Sequence, residues 1–164
     1  RSTLFPYTTL FRSPLDFKMW VLQGHYQSER NFSFEDLEAA KTRRLAWRNL
    51  YALALQSDFA DHENLHAELL DAVGDNLNSP LAFSVIDQLA ELSAKDWQVI
   101  DEFFGLGLTE VQPPSAEVIA MIELRESERL QKNYQHADRL RDEMQYHGYN
   151  VLDTPAGPKW QLVA

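Results

Sequence analysis

The chain contains no cysteine, which excludes a disulfide framework and any thiolate zinc site. It has no apolar run near the roughly 18 residues that a membrane-spanning helix requires. No stretch reads as a signal peptide, so a cytoplasmic protein with no membrane partner is expected. Positive charge is almost missing from residues 58–117, where Lys95 stands against thirteen Asp/Glu. Residues 1–57 carry eight Lys/Arg against five Asp/Glu, and residues 118–164 carry six against seven. The net charge of −10 argues against generic polyanion binding. The uneven placement predicts that any RNA surface uses the flanks, with the acidic middle turned away. A solvated acidic face that serves only solubility is the simpler reading of the same block.

What is present is mostly amphipathic helix. With 45% hydrophobic and 24% charged residues, the composition is that of a soluble globular protein. A length of 164 residues allows one domain, or a domain with a small appendage. Residues 1–13 lack helical periodicity and repeat a pair at Leu4-Phe5 and Leu10-Phe11. They look like a translated adaptor segment, and suggest that the chain is cut off at its N-terminus. From Pro14, residues Phe17, Trp20, Val21 and Leu22 give a short helix, and residues 24–31 a loop. Ser33 with Asp36 predicts the start of a long helix lined by Leu37, Ala40, Leu45, Trp47, Leu50, Tyr51 and Leu55. Leu65, Leu69, Leu70 and Val73 line the next helix, which ends at Gly74. Ser79-Pro80 reads as a cap followed by a first-turn proline. Trp97, Ile100, Phe103 and Phe104 line a further helix, and Pro113-Pro114-Ser115 reads as linker and cap. A charged helix with Val118, Ile119, Ile122 and Leu130 follows, then a second one ending at Gly148. Tyr149, Val151 and the Trp160–Leu162 stretch predict a small β-hairpin. The expected architecture is mainly α: a helical bundle over 14–110, then a C-terminal α-plus-hairpin element over 115–164.

Three motifs fall in one order. His25-Tyr26-Gln27-Ser28 leads to Asn31-Phe32-Ser33, Asp71 to Pro80 forms an acidic turn, and Asp153-Thr154-Pro155 is followed by Gly157 and Trp160. Together they resemble the C-terminal part of bacterial cysteinyl-tRNA synthetases. The likeness covers residues 14–164. Gln27 stands where the family usually has arginine, and Gly74 and Asn76 where acids are usual. The segment between Leu89 and Leu106 is shorter than in many relatives. The resemblance implies a DALR-type, stem-contacting bundle followed by an anticodon-binding end. It also implies tRNA as partner, specific for cysteine with a GCA anticodon, and a monomer. The family's nucleotide-binding boxes and Cys/His zinc site do not occur in this sequence. ATP and zinc are therefore expected in a catalytic domain outside it, with no cofactor and no catalytic residue in this stretch, which should be inactive alone.

The resemblance also implies roles. Asp153 and Asp138 are the proposed carboxylates for the first anticodon base, since a carboxylate can accept two adjacent donors from guanine in one plane. Arg129 and Arg141 are the proposed cationic donors to bases or phosphates. Tyr134 stands where tryptophan is common and is a candidate for base stacking. Trp160 either stacks a base or pins the last strand. Tyr134, Asp138 and Arg141 share one helix face by spacing. The bland readings are surface ion pairs for Arg129, Asp138 and Arg141, and a simple turn for Asp153-Thr154-Pro155. Lys41, Arg43, Arg44 and Arg48 either track a tRNA stem or form a solvated helix face.

Two other classes compete. One is a helical protein-interaction module with no RNA role. The other is a zinc peptidase, because His62-Glu63-Asn64-Leu65-His66 matches the H-E-x-x-H pattern. Its extended form needs Gly and His where Leu69 and Ala72 stand, and no metal ligand is assigned. A related ligase that joins cysteine to an amino-sugar is set aside, since such relatives lack the anticodon-reading end.

Overall fold

A computed structural model describes residues 13–163. The adaptor-like segment lies outside the described residues except for Ser13. That residue is part of the fold: its hydroxyl accepts the Leu15 amide and caps α1 (Pro14–Leu22). The described helices continue as α2 (Phe34–Ala54), α3 (Leu65–Gly74), α4 (Ser79–Gln88), α5 (Ala94–Phe104), α6 (Ala116–Leu130) and α7 (Tyr134–Tyr146). Strands β1 (Tyr149–Thr154) and β2 (Gly157–Leu162) close the chain as an antiparallel hairpin. The mainly helical reading with a C-terminal hairpin is thus the observed fold.

Capping chemistry sets most helix starts. Ser33, Ser93 and Ser115 each accept the amide three residues on, satisfying a donor that the first turn leaves free. At α5 the box is complete, because Asp96 bonds back to the Ser93 amide at 2.9 Å. Asp96 is buried, and both its oxygens also accept the His62 amide at 3.1 Å, tying the loop before α3 to α5. The cap of α4 falls one residue earlier than the Ser79-Pro80 reading. Asn78 accepts the Leu81 amide, while the Ser79 hydroxyl donates to the Leu22 carbonyl of α1 at 2.8 Å. An Asn side chain reaches the first turn as readily as Ser, and here Ser79 has a long-range acceptor instead.

The main core forms around α2. Ala40, Trp47, Tyr51 and Ala54 are buried on one stripe, at the three-and-four spacing of a helix face. The Trp47 ring meets Phe83 of α4 edge-on at 4.9 Å and Trp97 of α5 at 5.9 Å. Rings of this size contribute about 1.5–3 kcal/mol each when fully buried. Leu50, Leu55, Leu70 and Leu130, expected on apolar faces, are exposed. Leu50 precedes the buried Tyr51 by one residue, roughly 100° around the helix, and Leu130 is the last residue of α6.

A second, smaller core lies under the hairpin, where Val118 and Ile122 of α6 meet Met144 of α7 and Val151 of β1. Trp160 is partly buried against both cores. The strands pair Tyr149 with Leu162, Val151 with Trp160 and Thr154 with Gly157. Pro155 opens the turn, and Gly157 takes φ +105°, a conformation that L side chains rarely adopt.

Candidate nucleic-acid interface

The buried stripe of α6 changes character along its length. Val118 and Ile122 are apolar; Arg125 and Arg129 continue the same face at helical spacing. On β1 the pleat puts Asp153 on the face of Val151. The two periodicities bring the arginines to the aspartate. Arg125 Nη1 and Nη2 donate to Asp153 Oδ1 and Oδ2 at 2.9 and 3.3 Å, a two-point fork. Arg129 Nη1 lies 2.6 Å from Oδ1 and 3.7 Å from Glu126. The Arg125 side chain is 8% exposed and that of Asp153 45%. The Arg125 hydrogen bonds, with its charge and that of Arg129, hold the Asp153 carboxyl below the usual carboxylate range despite partial burial. Arg125 is absent from the sequence candidates. Its position on the Val118–Ile122 stripe was the available signal, and its charge hid it.

Tyr134, Asp138 and Arg141 form an exposed stripe on α7, as their spacing predicts. They lie one residue out of phase with the buried Ala137, Leu140 and Met144. Arg141 Nε donates to Asn150 Oδ1 at 3.3 Å, which also accepts the Val151 amide. Asn150 and Asp153 fall on opposite faces of β1 by the strand alternation. The candidates therefore form two groups, Arg129–Asp153 beside α6 and Tyr134–Asp138–Arg141 along α7, both attached to one strand.

The Trp160 backbone is tied to the bundle. It exchanges hydrogen bonds with the side chain of Gln56, just past the end of α2, and the Trp160 ring meets Tyr149 edge-on at 6.1 Å.

The basic residues of α2 are engaged within the bundle. Arg44 pairs with Asp16 at 2.6 Å and donates to the Leu106 carbonyl, with both charged side chains nearly buried. Arg48 donates to the Glu110 carbonyl at 2.8 Å; burial, then the neighbouring Arg44 charge, lowers its pKa. Arg43 pairs with Asp87 and lies over the rings of Trp47 and Phe83. Lys41 meets Glu38 one turn away at the surface. Of the four, Lys41 is the exposed one.

The H-E-x-x-H string does not present two histidines on one helical turn. His62 precedes α3 and has its amide fixed by Asp96, whereas His66 is on the helix with its ring 6.1 Å from Phe103. Among the described residues no group of three His, Cys, Asp or Glu is placed to hold a metal ion, and no helix is long and apolar enough to cross a membrane.

No family model matches the chain. Curated proteins do. The chain is 31% identical over 161 residues to cysteine–tRNA ligase 1 of Burkholderia lata, matching 89% of itself and 33% of that protein. It is 30% identical over 178 residues to the cysteine–tRNA ligase of Novosphingobium aromaticivorans, matching 91% of itself and 36% of the relative. With the cysteine–tRNA ligase of Parabacteroides distasonis the identity is 27% over 180 residues, covering 92% and 37%. The chain spans about a third of the length of these relatives. Their agreement on one activity accords with the three ordered motifs and the helical fold, and the chain belongs to the cysteine–tRNA ligase family.

Proposed function

We propose that this chain is the tRNA-facing, anticodon-binding part of a cysteine–tRNA ligase that attaches cysteine to its tRNA using ATP. The helices up to α5 would be the DALR-type bundle beside the stem, and α6, α7 and the hairpin would meet the anticodon loop. The observation that carries this reading is the Arg125–Asp153–Arg129 cluster. A half-exposed carboxylate is held ionised and oriented at the hairpin by a buried guanidinium. Bases splayed from an RNA loop are recognised by such fixed acceptors, by arginine donors and by aromatic stacking. Asp138, Arg141 and the 60%-exposed Tyr134 supply the other elements on α7.

ATP and zinc belong to the proposed reaction, but the residues here do not fit a site for zinc. The chain offers no thiolate, and its two nearest-spaced histidines do not share a helix. No step is assigned to either cofactor in this chain. The setting is the cytoplasm, where tRNA is charged.

Filter binding tests the reading. The chain should hold a cysteine tRNA with the GCA anticodon more tightly than the same tRNA with its first anticodon base changed. Binding should weaken as salt rises. Equal affinity for the two tRNAs would overturn the anticodon role.

A further inference from the structure

The Asp153 carboxylate is more fully occupied than a free base-reading group would be. A carboxylate has about four acceptor positions. Arg125 fills one on each oxygen, and Arg129 fills the second on Oδ1. One position on Oδ2 remains. The two arginines differ in freedom. Arg125 is buried and makes the two-point fork, whereas the Arg129 side chain is 37% exposed and reaches Asp153 through one nitrogen.

We propose that Arg125 is a positioning residue that fixes the orientation of Asp153 as an acceptor for an RNA base, and that Arg129 is the mobile partner released to the RNA. This rests on the RNA reading above and refines it. Removing Arg125 from Asp153 would strand a guanidinium beneath the hairpin, which is strongly unfavourable. Arg129 can turn to a phosphate or base acceptor at the surface, and its departure leaves the fork intact. Asp153 then offers one outward position on each oxygen while the fork faces inward.

The test uses the whole chain and RNA stem-loops of the cysteine anticodon arm, with guanine or adenine at the first anticodon position. Arg125→Lys keeps the charge and the stem but cannot form the planar fork. Circular dichroism confirms the fold of each variant. Arg125→Lys should lower the guanine preference on the order of ten-fold, as loss of an oriented base contact does, with the salt slope unchanged. Arg129→Lys should keep the preference. Arg129→Met should weaken both RNAs alike and flatten the salt slope by about one, as loss of a phosphate contact does. A second readout needs no RNA: the Asp153 carboxyl, followed by carbon NMR, should titrate higher in Arg125→Lys than in Arg129→Lys. If the unaltered chain shows no guanine preference, the RNA reading fails and this inference with it. If it shows one that Arg125→Lys retains, or if the Asp153 titration follows Arg129 alone, the positioning role is overturned and the RNA reading stands.

Discussion

Gln56, in the turn that follows α2, and Trp160 of β2 exchange a complete pair of amide hydrogen bonds. Gln56 Nε2 donates to the Trp160 carbonyl at 2.9 Å, and the Trp160 amide donates to Gln56 Oε1 at 3.0 Å. Two turns earlier Asn49 does the same with Leu162, at 3.2 and 2.7 Å. Lys159 adds a bond to the Gln56 carbonyl. The outer edge of β2, which would otherwise present unpaired backbone groups, is covered by side-chain amides of α2 and of the turn after it. This seam sets the hairpin, and with it Asp153, against the bundle.

Gln56→Ala should therefore loosen the hairpin without melting α2. It leaves a donor and an acceptor unpaired in a partly buried seam, at a cost of about 1–3 kcal/mol. Amide exchange at Trp160 and Val151 should quicken, and the denaturation midpoint should fall. Unchanged protection at Trp160 would show that packing of its ring alone holds the strand.

The Asp153 pair has a pH signature. Its carboxyl lies below the usual range when folded because of the Arg125 hydrogen bonds and then the two arginine charges. The stabilisation is then present above the unfolded value of about 3.9 and is lost as pH falls through the lower folded value. Solvent at the half-exposed carboxylate limits it to on the order of 1 kcal/mol. Thermal melts should show a constant difference between the unaltered chain and Asp153→Asn above about pH 5, closing below about pH 4. A difference that persists in acid would assign the effect to shape.

Asn78→Ala should cost about 1 kcal/mol, the value of a helix cap. Ser79→Ala should lose instead its bond to the Leu22 carbonyl, and with it part of the tie between α1 and α4. Amide exchange separates the two: the first turn of α4 responds to Asn78, the end of α1 to Ser79. The reverse pattern would restore Ser79 as the cap.

Tyr134→Ala should leave the melting temperature within about a degree or two, since exposed substitutions away from such contacts fall within about 0.5 kcal/mol. Binding to the cysteine anticodon arm should weaken by about 1–3 kcal/mol if the ring stacks a base. Equal binding would remove Tyr134 from the interface.

Helix positions were legible in the sequence because the apolar period and the Ser caps act locally. Ser33 and Ser115 sit where the first turns need acceptors. The exposed stripe of Tyr134, Asp138 and Arg141 was legible for the same reason. Long-range partners were not. Arg44 reads as a surface cation until Asp16 and Leu106 are brought to it, and the bonds of Gln56 to the Trp160 backbone join residues far apart in the chain. Arg125 was hidden by its charge, although its spacing from Val118 and Ile122 places it on the inner face. Removing the C-terminal element would uncover the core around α2 that Trp160 and Leu162 help to close.

In the proposed function the α6–α7–hairpin surface meets the tRNA while the acidic middle faces away. Hydrogen–deuterium exchange of the chain with and without cysteine tRNA reads out which surface is covered. Protection should appear along α7 and around the 153–157 turn, with residues 65–104 unchanged. Protection centred on α3 to α5, with the hairpin unchanged, would contradict it.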